Sequence, residues 1–244
     1  EAFGREVNGV GPGKPPRKTY ALEPSDYDHP DETYFRFMAM RVMRAFDYLK
    51  SRPEWNGRDL IVEGVSMGGS QAIQAAALDG DVSVCAPSDP ALCDHAGGLA
   101  DVPRRPGWPG IVAWSRNVKL SPERQEAVLR TSDYYDTCNF ASRIRCKALF
   151  ASGYCDSDCP SEGVYRAYSA VKGDKVLTVD PEARHCRTRN RPLLELLETL
   201  KSRDLSAEAK GEKAAPAAQV SHEKPYDWQA DVSAPSAAQE TAIS

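Results

Sequence analysis

Three side-chain types in this sequence could together carry out nucleophilic acyl transfer: a serine, a histidine and an aspartate. The serine is Ser66, in the run Gly64-Val65-Ser66-Met67-Gly68-Gly69. This run joins the apolar Leu60, Ile61 and Val62 to an alanine-rich stretch that ends near Leu78. A serine on a tight strand-to-helix turn is held in strained backbone geometry, with its hydroxyl projecting from the C-terminal edge of a sheet. Side chains two positions to either side would collide there, so Gly64 and Gly68 are both expected to be required. Gly69 and Ser70 keep the helix entry small. The helix N-terminus turns its free amides toward the place where an oxyanion would form, and Met67 N–H is the first of them. The plainer reading is a glycine-rich turn with an incidental serine. The legible strand and helix on either side favour the nucleophile.

A serine hydroxyl needs a base, and the base needs a carboxylate to orient it. Of the four histidines, only His185 follows a late strand, in Asp180-Pro181-Glu182-Ala183-Arg184-His185. The preceding strand runs into Gly153-Tyr154-Cys155-Asp156-Ser157-Asp158-Cys159-Pro160, which offers Asp156 and Asp158 as the acid; position alone leaves both open. Serine, acid, histidine is the chain order of α/β-hydrolase folds. Cys155-x-x-x-Cys159 and Cys93-Asp94-His95 invite a metal reading. Neither has the paired Cys-x-x-Cys spacing of a structural zinc site, so no metal is expected.

The elements that must position these groups are legible in outline. Residues 34–50 place Phe35, Met38, Val42, Ala45, Phe46 and Leu49 at helical spacing, and Pro53 stops the run. Strands are expected over 59–64, 82–85, 147–152 and 175–179. Helices are expected after Ser66 to about Leu78, in short pieces over 121–143, over 162–171 and over 191–201. The alternation predicts a parallel α/β sheet flanked by helices. Residues 87–114, rich in Pro and Gly, read as a loop over the sheet edge that shapes a binding site. Three units follow: an irregular segment over 1–32, a catalytic domain over 33–205, and an Ala/Pro-rich tail over 206–244. The tail has too few large apolar residues to offset the entropy of ordering, and His222 within it is not expected to be catalytic.

The 244 residues are 41% hydrophobic and 27% charged, which suits one domain of ordinary size. A net charge of −4 with dispersed positive residues gives no footprint for nucleic acid. No apolar run approaches the roughly 20 residues of a membrane span. Seven cysteines is an odd count, high for a cytosolic enzyme, and leans toward a periplasmic or extracellular protein. The compartment itself is not readable from a sequence that starts at Glu1.

Several of these runs carry a resemblance. The stretch from Tyr34 through Ser66 to His95, which includes VEGVSMGGSQAIQAAAL and PALCDH, resembles the acetyl xylan esterase/cephalosporin-C deacetylase family. So do SDYYDTCNFASRIRCKALFASGYCDSDCPSEGVYRAYSAVKG and the later Ala183-Arg184-His185, and the similarity covers roughly residues 33–200. The family's acid loop reads glycine, two residues, aspartate, two residues, Cys-Pro, which Gly153, Asp156, Cys159 and Pro160 match. The resemblance therefore selects Asp156 over Asp158. It implies Ser66, Asp156 and His185 as the triad, Met67 N–H in the oxyanion hole, and an α/β-hydrolase fold. It further implies an acetylated sugar or oligosaccharide as substrate and no cofactor. Met67 stands where the family usually has glutamine, a change that keeps the backbone amide. Cys186 stands where it usually has glutamate.

In this fold, strands precede the nucleophile strand, and an early loop supplies a second oxyanion amide. The first 32 residues show little strand pattern, so the expectation is a chain lacking its N-terminal strands and that donor. The resulting open edge would favour self-association. Two other readings share the same residues: a peptidase of the prolyl-oligopeptidase type, and a hydrolase domain that has lost catalysis.

Overall fold

A computed structural model of the chain describes residue 31 and residues 34–94 and 121–209. Its elements, in chain order, are α1 (Tyr34–Lys50), β1 (Ile61–Val65), α2 (Met67–Leu78), β2 (Val84–Ser88), α3 (Pro122–Asp133), α4 (Thr137–Ala141), β3 (Lys147–Gly153), α5 (Ser161–Ala170), β4 (Lys175–Asp180) and α6 (Arg191–Ala209). The four strands form one sheet in the order β1-β2-β3-β4, with every pairing parallel. Parallel neighbours need crossovers, and helices supply them. A sheet covered in this way buries its central strands on both faces. Accordingly β2 is buried throughout and β3 is buried from Ala148 onward.

The period-2 alternation of the strands sorts their side chains into two cores. Cys85, Ala148 and Phe150 face one side, where they pack with Ala72, Ile73, Ala76, Ala141, Ile144, Val164 and Ala167 from the helical layer. Val84, Ala86 and Leu149 face the other, under Leu193 of α6. The apolar stripe of α1 behaves as its spacing predicts at Phe35, Met38 and Phe46, which are buried, whereas Leu49 is exposed. The end of α1 is tied to the end of α2 by Lys50, whose ammonium lies 2.8 Å from Asp79 and 2.7 Å from Asp81.

Three expectations need adjustment. The second strand begins later and runs further than 82–85. Pro87 reads as a loop signal, yet it sits inside β2, paired in register with Gly64. It has no N–H to donate, and the β2–β3 pairing skips from Cys85–Ala148 to Ser88–Ala151 around it. The last helix continues past 201 to Ala209, four residues into the stretch assigned to the tail. Residues 202–209 contain neither Pro nor Gly, and a helix can extend into solvent without burying an apolar face. The remainder of the tail, His222, the 1–30 segment and most of the Pro/Gly-rich loop lie outside the described residues.

Candidate active site

Ser66 occupies the single-residue step between β1 and α2. Its φ of 57° and ψ of −119° are a conformation L-residues rarely adopt, the strain expected of a serine forced outward at this turn. The surrounding backbone enforces it. Ser66 N–H donates to Ser88 O at 3.0 Å, and Ser66 O accepts from Ala91 N at 2.9 Å and Ser70 N at 3.2 Å. A Cβ on Gly64 would overlap the Gly68 carbonyl, so that glycine is required by close approach. The expected need for Gly68 is not met: a Cβ there has nothing within 4 Å among the described residues. It is the Gly68 backbone, not its missing side chain, that crowds Gly64. Gly69 is the second sterically required position, since its Cβ would lie 2.9 Å from Pro90 Cα.

The loops after β3 and β4 bring the other two groups to this serine. His185 Nε2 lies 3.0 Å from Ser66 Oγ, and His185 Nδ1 lies 2.8 Å from Asp156 Oδ2. The Asp156 side chain is fully buried and that of His185 is mostly so. Asp156 Oδ1 accepts from the backbone N–H groups of Asp158 and Cys159, each at 2.8 Å. Both carboxylate oxygens are therefore occupied by donors, which compensates the cost of burying the charge. Asp158, the competing acid, is exposed and enters this network only through its backbone. Met67 follows Ser66 directly and opens α2, so its N–H has no carbonyl partner within the helix.

Two neighbours of the triad carry no readable signal in the sequence. Cys159 is buried, with Sγ 3.9 Å from Ser66 Oγ. Asp89, just after β2, is buried and has a φ of 43°. The Cys-Pro match marks Cys159 only as part of a motif. Asp89 lies in an unremarked Ser-Asp-Pro, and its place is set by the packing of three loops.

Asp156, Cys159 and His185 could each offer a metal-ligand atom within 4.8 Å of the others. The donor set fits hydrogen bonding better. Asp156 Oδ2 and His185 Nδ1 already engage each other. Burial, followed by the nearby Asp156 charge, pushes the Cys159 thiol well above its ordinary pKa, which opposes the deprotonation a metal requires. All seven cysteines are free thiols; Cys155 and Cys186 are exposed, and Cys186 has a φ of 58° beside His185. The Cys93-Asp94-His95 cluster falls partly outside the described residues. No described helix is long and apolar enough to cross a membrane.

A parallel sheet with helices on both faces and a serine at the strand-helix elbow defines an α/β-hydrolase. Comparison with known proteins narrows this. The acetyl xylan esterase family model matches residues 25–193, and the chain belongs to that family. The acetyl esterase Axe7A of Xylanibacter ruminicola is 34% identical over 161 residues, covering 66% of this chain and 35% of that protein. The structure resembles the acetyl xylan esterase from Paenibacillus sp. R4, with TM-score 0.64 and 26% identity over 80% of this chain and 63% of that one. It also resembles acetyl xylan esterase 1 from Thermoanaerobacterium sp. JW/SL YS485, with TM-score 0.60 and 26% identity over 70% and 54%. The chain thus spans about a third of the curated relative and between half and two thirds of the solved structures.

Proposed function

We propose that the chain is a serine carboxylesterase that removes O-acetyl groups from carbohydrates through an acetyl-enzyme on Ser66. The observation that carries this reading is the continuous hydrogen-bonded chain Ser66–His185–Asp156 at the strand ends of an acetyl xylan esterase family member. Ser66 Oγ attacks the acetyl carbonyl carbon while His185 Nε2 takes the hydroxyl proton. Asp156 holds the imidazole by its Nδ1–H and stabilises the imidazolium. The carbonyl oxygen becomes an oxyanion against Met67 N–H. Collapse breaks the ester C–O bond, and His185 returns the proton to the departing sugar hydroxyl. Water then attacks the acetyl-Ser66 carbonyl, with His185 again as base, and acetate leaves as Ser66 recovers its proton.

Two assays test the reading. A fluorophosphonate should label Ser66 in the unsubstituted chain and fail to label His185→Ala, since labelling requires an activated hydroxyl. Acetylated xylo-oligosaccharides and p-nitrophenyl acetate should then release acetate while peptide anilides stay intact. Labelling of Ser66 with turnover of the anilides alone would transfer the site to a peptidase.

A further inference from the structure

We infer that Asp89 is a positioning residue: one oxygen of its buried carboxylate holds the loops of Asp156 and His185 at their hydrogen-bonding separation. The inference rests on the esterase reading above and adds a fourth side chain to it. Asp89 follows the last residue of β2 and is 0% exposed. Its backbone N–H donates to Ala151 O at 2.9 Å, which fixes it against β3. Its Oδ1 accepts from Gly153 N–H at 2.8 Å and from Thr188 Oγ1–H at 3.0 Å. Gly153 is the last residue of β3, three positions before Asp156. Thr188 lies three positions after His185. One atom is therefore bonded to the segments that carry both triad residues, three positions from each in sequence.

Apart from the triad itself, the two loops are otherwise joined by backbone hydrogen bonds and by the Cys155 thiol, which donates to Pro181 O at 3.3 Å. Cys155 N–H donates to Ala183 O at 3.0 Å and Tyr154 N–H to Asp180 O at 2.9 Å. A Cβ on Gly153 would lie 2.6 Å from Ala183 O and 3.0 Å from Thr188 Oγ1, so the loops can meet at Oδ1 only because residue 153 has no side chain.

Stability alone does not account for this arrangement. Asp89 Oδ2 is buried with no hydrogen-bond partner among the described residues, and burial raises the carboxyl's pKa from its ordinary value. A half-satisfied buried carboxylate is a liability to a fold. What the residue provides is a fixed distance between two loops, and proton transfer from Ser66 to the His185 imidazole that Asp156 orients is sensitive to that distance.

The test uses Asp89→Ala, Asp89→Asn and Thr188→Val in the whole chain. Each is compared with the unsubstituted protein for kcat and KM on p-nitrophenyl acetate, fluorophosphonate labelling rate, Tm, and the low-field proton resonance of the His185–Asp156 hydrogen bond. Asp89→Ala should lower kcat and labelling by roughly 10- to 100-fold with KM little changed, and should weaken the low-field resonance. Asp89→Asn keeps an acceptor at the Oδ1 position and should recover most of the rate. Thr188→Val removes only the hydroxyl and should cost a few-fold in kcat. Combined with Asp89→Ala it should add little, because the shared acceptor is already gone. If Asp89→Ala does not fold, Thr188→Val and Asp89→Asn decide the question. A drop in Tm with kcat, labelling rate and resonance unchanged would make Asp89 a stabilising crosslink only and overturn the inference. An unsubstituted chain that does not label would overturn the esterase reading instead, and the resonance would still report whether Asp89 sets the triad hydrogen bond.

Discussion

At the residue scale, the catalytic claim concerns a unit rather than three independent groups. Ser66→Ala and His185→Ala should each remove turnover of acetyl esters almost completely, and the double variant should lose little more than either. Asp156→Asn should cost about 10⁴-fold, since an amide presents the wrong partner to Nδ1–H; Asp158→Asn should cost little. Full activity in Asp156→Asn with loss in Asp158→Asn, measured on p-nitrophenyl acetate, would reverse the assignment. Ser66 and His185 were legible from local signatures, glycines around a serine and a histidine-bearing loop just after an apolar run, whereas the acid loop alone left Asp156 and Asp158 open and the family resemblance chose Asp156. Asp89 and the approach of Cys159 to Ser66 were not, because both depend on which loops the sheet order makes neighbours.

At the element scale, the elbow between β1 and α2 makes two opposite predictions for two glycines that look equivalent in sequence. Gly64→Ala should destabilise the fold, since its Cβ would overlap the Gly68 carbonyl. Gly68→Ala should be neutral or stabilising by up to about 1 kcal/mol, because alanine is the better helix former and the space is open. Thermal unfolding of the two variants separates them. Strand and helix identities were readable from periodicity, while boundaries shifted where a residue sent a mixed signal. Pro87 read as a loop yet is accommodated inside β2, because the β2–β3 pairing skips at that point.

The loop before β1 carries a pH-dependent tie to α6. The Arg58 hydrogen bond, with Arg203 and Asn56, holds the Asp59 carboxyl down at about 2 from an ordinary 3.8, against the partial burial that opposes it. A depressed carboxylate adds stability above its ordinary pKa, and that stability is lost as pH falls through the folded value. Asp59→Asn should therefore lower Tm at pH 7 by a modest amount, corresponding to no more than about 1 kcal/mol for a pair this close to solvent. The gap from the parent should close between about pH 4 and pH 2. A gap that widens on acidification would contradict this assignment.

At the scale of the whole molecule, the sheet has two edge strands among the described residues, β1 and β4. β1 pairs only with β2, and Val65 at its C-terminal end is 47% exposed. An edge strand bearing an exposed apolar side chain is a template for association between copies. The chain should accordingly show concentration-dependent self-association in analytical ultracentrifugation, and Val65→Lys should reduce it. A monodisperse monomer at all concentrations would show the edge to be covered. The parallel architecture was legible from the alternation of apolar runs and helical segments. What covers each face was not: alternation puts Cys85 and Val84 on opposite sides, but only the packing of the helices shows that α6 covers the Val84 side.

The most direct test of the central claim is to find the acetyl group on the protein. The chain is incubated with acetylated xylo-oligosaccharide, quenched in acid, and its peptides are weighed by mass spectrometry. The account predicts an added acetyl group on the peptide containing Ser66, formed with release of the deacetylated sugar, and absent from Ser66→Ala and His185→Ala. Release of acetate at an undiminished rate by Ser66→Ala, with no acetylated Ser66 peptide in the unsubstituted chain, would contradict it.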